Sequence, residues 1–201
     1  MKRSFLLLSG SFVTWLFLQV ACIAYSSDPK QFIAEIVDEA KIVLNSNISK
    51  EEKSKKLSEI ALKTVDIKGI GHYTLGSKRL KELTPNELKK YEEIFQKYFL
   101  KTFTSRLTDY SDPKIAVVSA EKTSEKYTIV KTMLLKTDKK PEVKIDWRIY
   151  TKDPNKPLIR DLIIEGLSLA RTQKEEFTSI LSTNNNDINA LFARLEEFIN
   201  K

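Results

Sequence analysis

The chain has 201 residues, 41% hydrophobic and 30% charged, and 34 Lys and Arg against 27 Asp and Glu give a net charge of +7. These values exclude a disordered tail, and 5 Gly and 6 Pro exclude a collagen-like or low-complexity chain, so we expect one globular domain with a sizeable core. One Cys and one His exclude a disulfide scaffold and a Cys-rich metal centre, and they leave little material for a His-based one.

The first 24 residues are typical of a secretory signal peptide. Lys2 and Arg3 precede an apolar run over residues 5–24 that ends in small residues. A retained membrane anchor is the alternative, because the run is almost long enough to span a bilayer, although it contains several polar residues. We expect cleavage at the end of this run, or two residues later, and a single domain over residues 25–201.

Capped helices are predicted in the first half of that domain. Asp28 is a typical N-cap, with Pro29 as the first helical residue, and Ser49 begins a capping box for a second helix. Thr84 begins a capping box for the longest helix, which we expect to run to about residue 108. Between the second and the longest helix, residues 66–76 are expected to be a short segment with the backbone freedom of glycine.

From residue 114 the hydrophobic pattern changes to a period of two, which indicates strands. We predict four strands, over residues 114–121, 126–136, 142–151 and 158–165, joined by short polar turns as an antiparallel meander. Two helices follow, the first beginning at Ser168 and the second after an N-cap at Asp187. The predicted class is α+β, a four-stranded antiparallel sheet packed by N- and C-terminal helices.

Catalytic motifs are absent from the sequence. His72 has no assignable acid or nucleophile, and there is no phosphate-binding loop, dinucleotide fingerprint or metal-ligand spacing. Asp161 and Glu165 would lie about 13 Å apart on one strand, farther than glycosidase carboxylates. We expect structural roles for these two carboxylates, in a cross-strand ion pair with a basic residue and in a turn contact.

The apolar faces of the third and fourth strands and of the longest helix stand out. Alternation and helical spacing place a Trp and several large aliphatic and Phe side chains so that they face inward. They either fill a core, which close packing favours, or line an apolar cavity, and their spacing leaves both open. The candidate lining residues are Phe95, Phe99, Phe103, Val143, Ile145, Trp147, Leu162 and Ile164.

Two stretches carry a resemblance to a known family. One includes Asp66-Ile67, the run from Tyr73 to Gly76, Leu83-Thr84, Glu87, Phe95, Phe99 and Tyr110; the other is the run from Arg160 to Leu169, followed by Phe177 and the Ile180-Leu181 pair. With the signal peptide, they resemble the MlaC family of periplasmic phospholipid-binding proteins, also described as toluene-tolerance auxiliary proteins. The chain departs from the family at Leu80 and Leu158, where a Trp is common, and at Gln173-Lys174, where a Tyr-Arg pair is common.

The resemblance implies a periplasmic carrier that is not an enzyme and needs no metal or cofactor. Its ligand would be a glycerophospholipid, with the acyl chains in an apolar pocket between sheet and helices. Its partners would be an inner-membrane ABC transporter complex and an outer-membrane lipoprotein complex, with no nucleic acid, and its role would be to maintain outer-membrane lipid asymmetry. Arg171 and Lys174 are candidates for contact with the head group or with a partner.

Two other functions stay open at this point. One is a secreted envelope protein–protein interaction module with a closed core and no ligand. The other is a hydrolase that uses His72 with an acid that the sequence does not identify.

Overall fold

The computed structural model describes residues 25–108, 113–136 and 141–201. The predicted signal peptide, Tyr110 and most of the turn expected before the third strand lie outside these ranges. Within them, no helix has the length and the apolar composition needed to cross a membrane.

The predicted caps begin three of the helices. Helix α1 (Pro29–Asn45) begins where the Asp28 carboxylate accepts a hydrogen bond from a backbone N–H of the first turn at 2.8 Å. Helices α2 (Lys50–Thr64) and α5 (Pro85–Leu107) both begin with complete capping boxes, at Ser49 and Thr84. Side-chain capping of otherwise unpaired N–H groups explains why these boundaries could be predicted.

The short segment over residues 66–76, for which glycine freedom of the backbone was expected, is mostly helical. It forms α3 (Ile67–Leu75), and a further helix, α4 (Ser77–Glu82), follows it. The Asp66 carboxylate caps α3 by accepting from the Gly69 N–H at 2.9 Å, and only Gly76, at φ 90°, leaves the helical region to end the helix. Gly71 is required for close packing, since a Cβ there would lie 2.7 Å from Cδ1 of Phe95.

The sheet is an antiparallel meander, as predicted, but it has five strands where four were expected. The strands, in spatial order, are β1 (Ile115–Ser124), β2 (Tyr127–Leu134), β3 (Val143–Tyr150), β4 (Leu158–Ile164) and β5 (Leu167–Ser168). Glu165 and Gly166, at φ 49° and 83°, form a tight turn that brings the two-residue β5 back alongside β4.

Two helices complete the fold, α6 (Leu169–Thr183) and α7 (Ile188–Asn200). Ser168 and Asp187 are their N-caps, as predicted. The helices and one face of the sheet share a core whose largest fully buried side chains include Tyr91, Phe95 and Phe177. The α+β class is confirmed.

The two stretches that carried the resemblance meet in space. The Arg160 guanidinium binds the Asp66 carboxylate at 2.6 Å, lies 3.7 Å from the ring centre of Tyr150 and donates to the Tyr127 hydroxyl at 3.1 Å. A charge-assisted contact of this kind holds β4 against the start of α3.

Candidate functional site

The strand register places the five candidate sheet residues on one face, called here the inner face. Trp147 pairs with Leu162 and Ile145 pairs with Ile164, and paired residues project to the same side. Val143, two residues before Ile145, shares that side by alternation. The predicted division of the third strand into a polar and an apolar face is therefore confirmed.

Burial decreases along the inner face from one end of β3 to the other. Ile149 is fully buried in the core, whereas Trp147, Ile145 and Val143 are only half-buried. Trp147 still packs against the buried core. Apolar side chains left half-buried in a row are available for contact with a hydrophobic ligand.

Four inner-face residues are not part of the packed core. Val143, Ile145, Leu162 and Ile164 are half-buried, and none of them is among the apolar residues of the described chain that pack against the buried cluster. A filled core would have placed them against that cluster.

The aromatic stripe of α5 shows the same decrease in burial. Phe95 is buried, and Phe99 and Phe103 are half-buried. The ring centres of Phe95 and Phe99 are 6.3 Å apart, and those of Phe99 and Phe103 are 6.0 Å apart with nearly parallel planes. The three rings form a continuous ladder, the Phe ladder, that begins in the core, and the half-buried Phe99 and Phe103 still pack against that core.

The less buried end of the inner face and the less buried end of the Phe ladder lie at the same end of the molecule. Thr108, the C-cap of α5, is seven residues from Ile115, the first residue of β1, so the end of the helix lies within about 25 Å of the start of β1. Ile115 at that start pairs with Leu134, which pairs with Val143. The Phe ladder and the inner face therefore both lead toward this end.

The main contacts between helices and sheet are made with β1, β2 and β4. Helix α1 packs on β1 and β2, α3 and α6 pack on β4, and α5 packs on α2, α3 and α7. In β3, Ile149 is fully buried, whereas Val143 and Ile145 remain half-buried.

A hydrogen bond fixes the orientation of Trp147. Its indole Nε1 donates to Thr132 Oγ1 at 2.9 Å, and that hydroxyl donates to the Ile145 carbonyl at 2.9 Å. Thr132 is 2% exposed. Because the polar N–H is satisfied within the sheet, the rest of the ring offers an apolar surface.

Arg171 and Lys174 lie elsewhere. Together with Tyr73 they line a surface depression of about 590 Å³ on α3 and α6, where the Lys174 ammonium lies 4.9 Å from the ring centre of Tyr73. None of the eight apolar candidates lines this depression. The structure brings the two cations together but does not join them to the apolar set.

A second depression lies where α2, α3, α5 and β4 meet. It has a volume of about 480 Å³, and its lining includes Leu62, Lys63, Ile67 and Leu158. It contains none of the candidate residues either.

His72 has an acidic partner that the sequence did not reveal. Its Nε2 lies 2.7 Å from a Glu92 carboxylate oxygen, which also binds Lys68 at 3.0 Å. Burial opposes ionisation of Glu92, but hydrogen bonds from Lys68 and His72 outweigh it and lower the pKa of this carboxyl. The cluster joins α3 to α5, and the structure places no nucleophile against the imidazole among the described residues.

Asp161 and Glu165 have the structural roles expected of them. Asp161, 4% exposed, lies 3.6 Å from Arg148 across the strands and accepts from the Ser168 hydroxyl and the Ala170 N–H. Glu165 accepts from the Lys144 N–H at the turn. The described residues contain no group of three His, Cys, Asp or Glu side chains placed to hold a metal ion.

Some residues of the inner face were not predicted from the sequence. Thr132, Leu134 and Ile115 belong to it by register. Alternation through the second strand carries the signal for Thr132 and Leu134, but a threonine does not stand out in an apolar pattern.

Comparisons with known proteins agree with this architecture. A family model described as "MlaC protein" matches residues 34–197. A solved structure of the phospholipid-binding protein from Ralstonia solanacearum, in complex with a phospholipid, is similar with a TM-score of 0.71 and 17% identity, over 83% of this chain and 94% of that chain. At that identity the likeness shows the fold. No curated protein matches the chain.

Proposed function

The chain belongs to the MlaC family, and from that premise we propose that it is a carrier that binds a glycerophospholipid by its acyl chains. In this proposal a signal peptide over residues 1–24 directs the chain to the periplasm, and residues 25–201 are the lipid-binding domain. The carrier moves lipid between an outer-membrane lipoprotein complex and an inner-membrane ABC transporter complex, and so maintains outer-membrane lipid asymmetry.

The observation that carries the proposal is the set of inner-face residues left outside the packed core. Val143, Ile145, Leu162 and Ile164 form an apolar, half-buried surface that is not packed against the buried core. An acyl chain is the ligand that such a surface fits, because transfer of hydrocarbon out of water contributes about 0.8 kcal/mol per CH₂ group. In this proposal the Phe ladder of α5 forms the opposite wall.

The complex of the Ralstonia protein supports the class of ligand. That protein has a phospholipid bound, and its fold matches this chain over most of the length of both. Hydrocarbon binding requires no metal, cofactor or catalytic group, and none enters the proposal. The His72–Glu92 pair then serves to join two helices.

We assign Arg171 and Lys174 to contact with a protein partner. Both line the depression on α3 and α6, which contains no residue of the inner face. An exposed Tyr73 beside two cations suits an acidic or polar partner surface. The head group of the lipid would remain at the open end of the inner face.

Trp147 provides the test. The chain has two Trp, so in a Trp15→Phe background Trp147 is the sole emitter. Vesicles of brominated phosphatidylcholine should quench its emission, because bromine on a bound acyl chain would lie against the indole. Quenching should follow a saturable curve and should not occur with unbrominated vesicles.

Two neighbouring isoleucines give matched variants. Ile164 is on the inner face, and Ile163, which is also half-buried, projects to the opposite face. Ile164→Asn should reduce quenching strongly, and Ile163→Asn should retain it. If brominated lipid does not quench the Trp147 emission of the wild-type protein, the carrier function is refuted, and the interaction module with a closed core is favoured.

A further inference from the structure

The turn between β4 and β5 places one leucine at the edge of the inner face. Glu165 and Gly166 have positive φ values of 49° and 83°, which suit the two central positions of a type I′ hairpin turn. This turn pairs Leu167 directly with Ile164. Because paired residues project to the same side, Leu167 belongs to the inner face.

Leu167 ends a row that crosses the sheet. The row passes through Thr132, Ile145 and Ile164 before it reaches Leu167, with each residue paired to the next. Exposure rises along the row, from 2% at Thr132 to 58% at Leu167. Among the large apolar residues that are exposed in the described chain, Leu167 is the one that strand pairing assigns to the inner face.

The residues on either side hold Leu167 in place. Glu165 accepts a hydrogen bond from the Lys144 N–H, and the Ser168 hydroxyl donates to buried Asp161 at 2.6 Å while it caps α6. The backbone is therefore anchored both before and after the leucine. An exposed apolar side chain on an anchored edge is suited to contact with something outside the protein.

We infer that Leu167 is the rim contact for the bound acyl chain, and this inference rests on the proposed carrier function. Leu167 covers the part of the acyl chain that extends beyond the half-buried residues of the row toward solvent. This contact slows release of the lipid. Leu167 thus acts mainly on the dissociation rate, since the residues deeper in the row remain in place.

The test measures lipid release from the full chain in the Trp15→Phe background. Protein loaded with brominated phosphatidylcholine is mixed with excess unbrominated vesicles, and recovery of Trp147 emission reports dissociation. Leu167→Ser should release lipid about fivefold to tenfold faster, because part of the apolar contact is lost. Leu167→Met should release lipid at the wild-type rate, since it retains an apolar side chain.

Leu62→Ser is the matched control. Leu62 is 50% exposed on α2, in the depression that contains none of the candidate residues, and its replacement should change the rate less than twofold. If wild type is quenched but Leu167→Ser and Leu62→Ser release lipid equally slowly, the rim contact is refuted and the carrier stands. If wild type is never quenched, the carrier function itself fails. Circular dichroism of each variant checks that it is folded, and Leu167→Ala replaces Leu167→Ser if it is not.

Discussion

The contact between Gly71 of α3 and Phe95 of α5 makes the fold sensitive to a single methyl group. A Cβ on Gly71 would lie 2.7 Å from Cδ1 of the ring, with two more ring atoms at 3.1 and 3.2 Å. The ring has no room to move, because it is 2% exposed and packs edge-on against Phe177 at 6.1 Å. Gly71→Ala therefore forces the two helices apart or strains the ring.

The expected net cost follows from two opposing contributions. Overpacking of a rigid core costs about 1–3 kcal/mol, and a clash with three ring atoms belongs at the upper end of that range. Replacing a helical Gly by Ala recovers about 1 kcal/mol of helix propensity. We expect Gly71→Ala to lower the free energy of unfolding by about 2 kcal/mol, which lowers the melting temperature by roughly 4–8 °C in a domain of this size.

A double-mutant cycle tests the cause. Thermal and urea unfolding are followed for Gly71→Ala in the wild-type background and in a Phe95→Leu background. The smaller, flexible leucine can turn away from the new methyl group, so the cost there should fall to near zero or change sign. A Gly71→Ala variant as stable as wild type, or one equally destabilised in both backgrounds, would refute the packing argument.

Four further changes have defined outcomes. Ser168→Ala should lower the free energy of unfolding by about 1 kcal/mol through loss of the α6 cap, as measured by urea unfolding. The folded-state pKa of Glu92 is lowered, so its stabilising effect is present above its ordinary pKa and is lost as pH falls below about 4; Glu92→Gln should show a smaller acid-side decrease than wild type. Burial raises the pKa of the Tyr91 phenol, so stability should fall as pH rises through about 10, where the unfolded chain ionises, and Tyr91→Phe should show a smaller decrease than wild type. Reversal of charge at Arg171 and Lys174 should leave quenching of Trp147 by brominated lipid unchanged, while it weakens capture of the protein by a partner complex; loss of quenching would reassign both residues to lipid binding.

The parts of the fold that could be predicted are those fixed by local chemistry. Asp28, Ser49 and Thr84 satisfy N–H groups that any helix leaves unpaired, so the helix starts follow from a few neighbouring residues. The alternation through Val143, Ile145 and Trp147 defined both faces of the central strand. The strand order followed from short polar connections.

The parts that could not be predicted depend on distant contacts. Gly69 and Gly71 have low helix propensity, yet they lie in α3 because Asp66 caps that helix and Phe95 needs a glycine opposite it. His72 meets Glu92 across twenty residues, a separation that no spacing rule describes.

In the candidate site too, features that follow from local sequence were predicted, and features that depend on distant contacts were not. Shared faces were predicted, because they follow from the periods of helix and strand. Whether a shared face is filled or left open depends on how other elements pack, so the half-burial of Val143 and Ile145 emerged only in three dimensions. The position of Leu167 required the positive φ of Glu165, a non-glycine conformation that sequence patterns do not signal.

Native mass spectrometry of the purified protein measures its central property, the capacity to hold a lipid. We expect the gently ionised chain to carry the added mass of a glycerophospholipid, acquired during expression or after incubation with vesicles of phosphatidylethanolamine and phosphatidylglycerol, and Ile164→Asn to lose it. A wild-type chain that remains at its bare polypeptide mass after both treatments would contradict the carrier function.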